Sequence, residues 1–166
     1  TPPSHEVLQN KLVEFERLLP DCDAVVLSDY GKGGLAHIAD MIGMARAAGK
    51  QVLVDPKGDD YARYAGASAI TPNRGELREV VGRWRDEADL AERAQKLRKE
   101  LALEALLVTR SEEGMSLFSD AGVFNEPARA REVFDVSGAG DTVIATLASM
   151  LSIGQTWDAS VHVANV

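Results

Sequence analysis

Hydrophobic positions along the chain alternate between two patterns. Continuous apolar runs occur at 24–28 ("AVVLS"), 51–55 ("QVLVD") and 104–110 ("EALLVTR"), and a shorter one lies at 68–73 ("SAITPN"). Such runs are typical of strands that are covered on both faces of a parallel sheet. Between them, apolar residues recur at the three- and four-residue spacing of an amphipathic helix. This alternation predicts an α/β fold in which helices flank a mostly parallel, doubly wound sheet.

The predicted helices and turns carry recognisable end signals. Ser4 is placed to cap a first helix, which Pro20 ends. Gly49 follows a second helix at the position where a left-handed residue commonly closes the last turn. The segments "GMSLFS" and "GVFNEP" predict a hairpin of two further strands. Helical spacing also predicts helices around Leu77, along Leu90, Ala94 and Leu97, along Val143, Ile144 and Leu147, and from Trp157 onwards.

Polar side chains follow each predicted parallel strand. Asp29 and Lys32 follow the first in "SDYGKGG", Lys57 follows the second in "VDPKG", and "TPNRGE" follows the third. Thr109, Ser111 and Gly114 follow the fourth in "TRSEEG", and "SGAGD" at 137–141 follows a last apolar run. In parallel α/β sheets, ligands bind beyond the carboxyl ends of the strands. The agreement of five polar strand ends therefore predicts a charged cleft at one edge of the sheet.

The segment "SGAGD" has two interpretations on spacing alone. Gly138, Ala139 and Gly140 are small, so a ligand can approach their backbone closely, and the helix that follows directs free amides outward. Those amides would stabilise charge on a transferring phosphoryl group, and Asp141 would accept a proton from an attacking hydroxyl. The alternative is an ordinary turn in which Asp141 is a favourable first-turn acid. The segment matches neither the Walker A pattern nor GxGxxG.

Asn73 and Glu76 in "NRGE" are also ambiguous. Three residues apart at a helix start, they would form a capping box, which is the simpler interpretation of the spacing. The same amide and carboxylate would suit a magnesium ion that is bound largely through water. Lys32 and Lys57 would meet a substrate phosphate or lie solvated in loops, and Asp29 would orient a lysine or bind a sugar hydroxyl. Thr109, Ser111 and Gly114 would contact a nucleotide or serve only as turn residues.

Composition narrows the class of protein. The 166 residues are 45% hydrophobic and 27% charged, as in a soluble globular domain, and the net charge of −8 argues against a nucleic-acid partner. No apolar run approaches the roughly 20 residues of a membrane-spanning helix, and the first residues do not resemble a signal peptide. Cys22 is the only cysteine, so no intrachain disulfide forms. We expect one cytoplasmic domain over residues 1–166, without a membrane partner.

Several motifs together resemble the ribokinase (PfkB-type) carbohydrate kinase family. "DVSGAGDT" resembles its C-terminal signature, and "NRGE" resembles its N-x-x-E motif. The longer blocks "LSDYGKGGL", "VDPKGDDYARY" and "ITPNRGELREVVG" are most similar to family members that act on a heptose 7-phosphate. The resemblance implies a ribokinase-like fold and transfer of the ATP γ-phosphoryl group to the anomeric hydroxyl of D-glycero-β-D-manno-heptose 7-phosphate, on the route to ADP-heptose and the lipopolysaccharide core.

The same resemblance implies roles for individual residues. Asp141 matches the catalytic base, and the amides of Gly138, Ala139 and Gly140 match the anion hole. Asn73 and Glu76 match the residues that organise Mg²⁺ and ATP, with magnesium held mainly through water. Lys57, Thr109, Ser111 and Gly114 match the nucleotide side, and Asp29 and Lys32 are candidates for the sugar phosphate. Asp135 and Ser137 lie where some members hold a monovalent cation.

The resemblance also implies an incomplete kinase domain. Family members are roughly twice as long, and their first half supplies the sugar-binding motif and a lid, so we expect this chain to be a C-terminal part that is inactive alone. A homodimer of the full-length protein is a further expectation. The remaining alternatives are another PfkB-type sugar kinase and a nucleotide-binding module without catalysis. A dehydrogenase is disfavoured, because "SDYGKGG" stands where GxGxxG would be required.

Overall fold

A computed structural model describes residues 3–31, 33, 35–127, 143–145, 147–148, 151 and 156–164. The helices are α1 (His5–Leu18), α2 (Ile38–Ala47), α3 (Arg74–Val81), α4 (Glu87–Glu100) and α5 (Trp157–Ala164). The strands are β1 (Ala24–Ser28), β2 (Gln51–Asp55), β3 (Ala69–Ile70), β4 (Ala105–Thr109), β5 (Met115–Ser119) and β6 (Gly122–Glu126). The described residues of 143–151 are also helical.

The strands form one six-stranded sheet in the order β1-β2-β3-β4-β5-β6. The first four strands are parallel, with Val25 opposite Val52 and Ile70 opposite Leu106. β5 and β6 are antiparallel and form the predicted hairpin. Helices or short helical turns connect the parallel strands, as parallel pairing requires. The predicted mostly parallel α/β sheet is therefore confirmed.

Two hydrophobic clusters cover the two faces of the sheet. On one face, Val52, Val54 and Leu106 pack with residues of α2, α3 and α4. On the other, Leu53, Ala69, Ala105, Leu107 and Leu117 pack with Ile144, Leu147, Ala148 and Val161. Successive residues of a strand point to opposite faces, so a strand between two such layers is apolar at every position. This explains the continuous runs in the sequence.

The first apolar run differs from this expectation at one position. Val25 and Leu27 are buried, but Val26 is 39% exposed. β1 stands at one end of the described strand order, and the second cluster centres on the strands from β2 onward. One face of β1 is thus only partly covered by the residues that the structure describes.

The third strand is shorter than its apolar segment suggests. Only Ala69 and Ile70 pair as a strand, although "SAITPN" spans six residues. Pro72 has no N–H group to donate to a ladder, and the next contact is an isolated bridge between Asn73 and Thr109. That bridge holds the end of β3 against the end of β4.

The helix ends agree with their sequence signals. The Ser4 hydroxyl accepts a hydrogen bond from the Val7 amide at 3.3 Å, and a 3₁₀ turn that contains Pro20 follows α1. Gly49 has a φ of 73° and its amide donates to the Arg46 carbonyl, which closes α2. Among the described helices, none combines the length and the hydropathy needed to cross a bilayer.

Candidate functional site

The candidate site lies at the carboxyl ends of the parallel strands. Because β1 to β4 run in the same direction, their ends meet at one edge of the sheet. Asp29 follows β1, Lys57 follows β2, Asn73 follows β3, and Thr109 ends β4. The Thr109 amide donates to the Pro72 carbonyl at 3.1 Å, so the last two segments are held side by side.

Asn73 and Glu76 form a complete capping box at the start of α3. The Asn73 Oδ1 atom accepts from the Glu76 amide at 2.8 Å, and Glu76 Oε1 accepts from the Asn73 amide at 3.0 Å. The structural interpretation of "NRGE" is thus confirmed. The box occupies one carboxylate oxygen of Glu76 and leaves the other, Oε2, directed elsewhere.

The second carboxylate oxygen of Glu76 meets Lys57. The Lys57 Nζ and Glu76 Oε2 atoms are 2.7 Å apart, and the two side chains are 43% and 19% exposed. The sequence did not identify this partner, because the two residues belong to different loops. The pair places one cation and one anion together at the ends of β2 and β3.

The donor set near α3 fits a hydrated magnesium ion rather than a protein cage. It holds one carboxylate and one side-chain amide, whose oxygens already accept hydrogen bonds from the capping box and Lys57, and within the described ranges no cluster of three or more metal-ligating side chains occurs. Mg²⁺ usually keeps several waters and takes one or two carboxylates together with substrate phosphates. Glu76 and Asn73 are therefore compatible with the sequence prediction.

Asp29 is buried at the end of β1 and is engaged by other protein groups. The residue is 3% exposed. Its Oδ1 atom accepts from the Gly31 amide at 2.8 Å, and Oδ2 accepts from the Tyr64 hydroxyl at 2.7 Å and pairs with Arg63. A buried carboxylate requires such partners to offset its lost hydration. The direct role of Asp29 toward a ligand stays a prediction.

Tyr64 links the loops that follow β1 and β2. Its fully buried hydroxyl accepts from the Lys57 amide at 3.1 Å while it donates to Asp29. Burial raises the pKa of Tyr64 to about 12, and the charge of Asp29 contributes, so the hydroxyl keeps its proton at neutral pH. Arg63 donates to the Lys57 carbonyl at 2.9 Å. The backbone of Lys57 is thus fixed from both sides.

Tyr64 and Arg63 were missed at the sequence level. They lie in a 3₁₀ turn, Tyr61–Tyr64, to which the sequence pattern assigned neither a secondary-structure element nor a role in the site. A signal was present, because a buried tyrosine needs a hydrogen-bond partner. The sequence alone does not say that the partner is 35 residues away.

The loop after β4 is held in a tight and unusual conformation. Ser111 has a φ of 51° and Gly114 a φ of 89°. Residues other than glycine rarely adopt the φ value of Gly114. The Arg110 amide donates to the Gly114 carbonyl at 2.8 Å, and the Gly114 amide donates to the Ser111 carbonyl at 3.1 Å. A positive φ at a serine beside a cleft is the kind of strain found at ligand sites.

Ion pairs hold this loop against two helices. Arg110 is 8% exposed and bonds Glu87 of α4 and Glu113 of the loop. The hydrogen bonds from Arg110 lower the pKa of Glu87, and Glu87 in turn raises the pKa of Arg110. The other oxygen of Glu113 pairs with Arg74 of α3 at 2.6 Å. The network positions the loop relative to α3.

A polar cavity of about 300 Å³ lies between α3 and this loop. It brings together Asn73, Thr109 and Ser111, three of the residues predicted on the nucleotide side. Arg74, Gly75 and Arg78 complete the lining, and the sequence analysis had not selected them. A Cβ atom added at Gly75 would lie 3.3 Å from Asn73 Oδ1, so glycine leaves room for the cap.

Part of the predicted site lies outside the described residues. These positions are Lys32, Asp135, Ser137, Gly138, Ala139, Gly140 and Asp141. The helix predicted after them is confirmed, since Val143, Ile144 and Leu147 are helical and the last two are buried under the sheet. The roles of the anion hole and the base therefore stay predictions.

Comparisons with known proteins found a matching family and similar sequences. The family described as pfkB family carbohydrate kinase matches residues 2–166. The chain is 58% identical over 149 residues to a D-beta-D-heptose 7-phosphate kinase of Bordetella bronchiseptica. The aligned region covers 90% of this chain and 48% of the relative. It is 54% identical over 152 residues to the Bifunctional protein HldE of Chromohalobacter salexigens, covering 91% of this chain and 32% of the relative.

Solved structures show the same fold. The ribokinase of Arabidopsis thaliana, complexed with ribose and ATP, superposes with a TM-score of 0.77 at 20% identity. The match covers 99% of this chain and 51% of the ribokinase. The fold is therefore ribokinase-like. The chain spans about half the length, or less, of the relatives it matches.

Proposed function

The chain belongs to the pfkB family of carbohydrate kinases, and from this premise we propose that the full-length protein transfers the γ-phosphoryl group of ATP to the anomeric hydroxyl of D-glycero-β-D-manno-heptose 7-phosphate. The observation that carries the kinase proposal is the polar cavity beside the capping box, which joins Asn73, Thr109 and Ser111. The 58% identity to a D-beta-D-heptose 7-phosphate kinase supports the choice of sugar.

In the proposed reaction, the anomeric oxygen forms a bond to the γ-phosphorus, the bond from that phosphorus to the β,γ-bridging oxygen breaks, and ADP leaves. The hydroxyl proton passes to the Asp141 carboxylate. The amides of Gly138, Ala139 and Gly140 would donate hydrogen bonds to the transferring group. A bound Mg²⁺ would neutralise charge on the ATP phosphates.

The described residues supply positioning. The capping box fixes the Glu76 carboxylate at the start of α3. The buried Tyr64 hydroxyl accepts from the backbone amide of Lys57, whose side chain pairs with Glu76. Asn73 would share with Glu76 the hydrated metal, and Thr109, Ser111 and Gly114 would border the nucleotide. Because these groups are held before the ligand arrives, less ordering is needed on binding. We propose that this chain forms the ATP half and that most of the sugar site comes from residues outside it.

The test is a coupled ADP-release assay on the full-length protein with a panel of sugars and sugar phosphates. D-glycero-β-D-manno-heptose 7-phosphate should give the highest kcat/KM among substrates that include fructose 6-phosphate and ribose. Asp141→Asn should lower kcat by about 100- to 10,000-fold, which is the usual contribution of a general base. Asp158→Asn, at an exposed position of α5, is the matched control and should leave kcat unchanged.

The outcomes separate the alternatives. A normal rate in Asp141→Asn would show that Asp141 is not the base. Equal rates for all the sugars would overturn the substrate assignment while the kinase assignment stands. Nucleotide binding without transfer to any sugar would favour the binding module without catalysis.

A further inference from the structure

The cavity between α3 and the loop after β4 is positively charged in an acidic protein. Two of its six lining residues are arginines, Arg74 and Arg78, and the others are an asparagine, a glycine, a threonine and a serine. No carboxylate is among them, although the chain carries a net charge of −8. Residues four apart on a helix share one face, so both guanidinium groups belong to the same side of α3. Such a lining suits an anionic ligand.

The two arginines differ in how their charge is compensated. Arg74 pairs with Glu113 at 2.6 Å, so its charge is largely neutralised. Arg78 forms no ion pair or side-chain hydrogen bond with any residue that the structure describes. Its guanidinium lies over the Trp84 ring, with Cζ 5.3 Å from the ring centroid. A contact with the face of an aromatic ring uses none of the five N–H donors.

We propose that Arg78 binds the phosphate chain of the nucleotide in this cavity, and that Trp84 holds the guanidinium in place. This inference rests on the proposed function, because that function supplies the nucleotide. An arginine fork matches two phosphate oxygens, which a lysine does not. Stacking on Trp84 reduces the side-chain freedom that binding would otherwise remove. A cavity of about 300 Å³ lies at the lower end of ligand-pocket sizes, so it suits phosphate groups better than a whole nucleotide.

The experiment compares ligands with and without phosphates on the full-length protein. ADP, inorganic tripolyphosphate and adenosine are titrated by calorimetry into wild type, Arg78→Gln and Arg83→Gln. Arg83 is the matched control, because it is an exposed arginine two residues beyond the end of α3 that does not line the cavity. The Arg78→Gln variant should bind ADP and tripolyphosphate about 10- to 100-fold more weakly, as expected for a lost hydrogen bond to a charged group. Its affinity for adenosine, and all affinities of Arg83→Gln, should stay within about twofold of wild type.

A second variant and a spectroscopic signal guard against a folding defect. Arg78→Lys keeps the charge and loses the fork, so its ADP affinity should fall between wild type and Arg78→Gln. ADP should also change the tryptophan fluorescence, and this change should be absent in Trp84→Phe. Thermal unfolding of each variant shows whether it is folded.

The proposal is overturned if Arg78→Gln binds ADP as tightly as wild type, or if it loses adenosine affinity to the same extent as ADP affinity. If the wild-type protein phosphorylates the heptose phosphate but Arg78→Gln binds ADP with unchanged affinity, only this inference is refuted. A protein that binds ADP through Arg78 and phosphorylates no sugar would refute the proposed function alone.

Discussion

Glu76→Gln separates the structural role of the N-x-x-E motif, which is to cap α3, from its proposed role in holding a hydrated magnesium ion. Glu76 accepts the Asn73 amide through Oε1 and meets Lys57 through Oε2. Glutamine serves a capping box as well as glutamate does, because its amide oxygen accepts the same hydrogen bond. The substitution therefore keeps the cap and removes the negative charge that a metal would require.

The expected loss of stability is small. The ion pair between Lys57 and Glu76 is 43% and 19% exposed on its two sides, so it is partly solvated. Pairs of this kind contribute up to about 1 kcal/mol. In a domain of about 150 to 250 residues, that loss corresponds to a melting temperature about 2–4 °C lower. By contrast, losing a group that orients a hydrated metal weakens its binding by about 10- to 100-fold.

The measurement is a pair of titrations on the full-length protein. Thermal unfolding gives the change in stability, and ADP release at varied magnesium concentration gives the apparent affinity for the metal. Asp86→Ala is the matched control, since the Asp86 side chain caps α4 by accepting from the Asp89 amide at 2.8 Å. Its removal should cost about 1 kcal/mol and leave the magnesium dependence unchanged.

Two outcomes would refute this reasoning. If Glu76→Gln shows the magnesium dependence of wild type, Glu76 is only a cap. If it unfolds with a loss well above that of Asp86→Ala, glutamine does not preserve the box, and the charge of Glu76 is needed for folding.

Two further predictions concern the buried network and the pH response. In thermal unfolding, Tyr64→Phe should lower the stability by about 1–3 kcal/mol, because it leaves the part-buried Lys57 amide without its acceptor. The control is Tyr30→Phe, which alters a 64% exposed side chain and should have no effect on thermal unfolding. The hydrogen bonds from Arg110 lower the pKa of Glu87 below its ordinary value of 4.5, so the folded state gains stability above that pH and loses it as the pH falls through the lowered pKa. Between pH 6 and pH 3, Glu87→Gln should therefore lose less stability than wild type does. The difference between the two losses should be less than about 1 kcal/mol, because the Glu87 side chain is 69% exposed. Equal losses for both proteins in urea unfolding would contradict this.

Local patterns were sufficient for most of the secondary structure. The runs that became β1, β2 and β4 were visible in the sequence because strands between two helical layers are apolar at every position. The capping box was also visible, because its atoms belong to residues only three apart. The exposure of Val26 could not be predicted from the sequence, since it depends on which strand lies at the end of the strand order in the sheet.

The candidate site was predictable only in outline. The polar strand ends were identified because parallel strands bring their carboxyl ends to one edge. The partners of those residues were not identified. Asp29 meets Tyr64 across 35 residues, and Arg110 meets Glu87 across 23. The place of Arg78 in the site depends on the cavity that it lines together with Ser111, and that cavity forms only in the tertiary structure.

The sequence by itself determined the α/β class, most of the strand and helix positions, and which loops carry polar groups, because each of these follows from interactions within a few residues of the chain. Only the tertiary structure decided which polar groups meet. The crossover connections bring Lys57 to Glu76 and Arg74 to Glu113, and they leave Arg78 without a carboxylate partner among the described residues. These pairings depend on where whole elements pack against the sheet, and no local pattern encodes that distance.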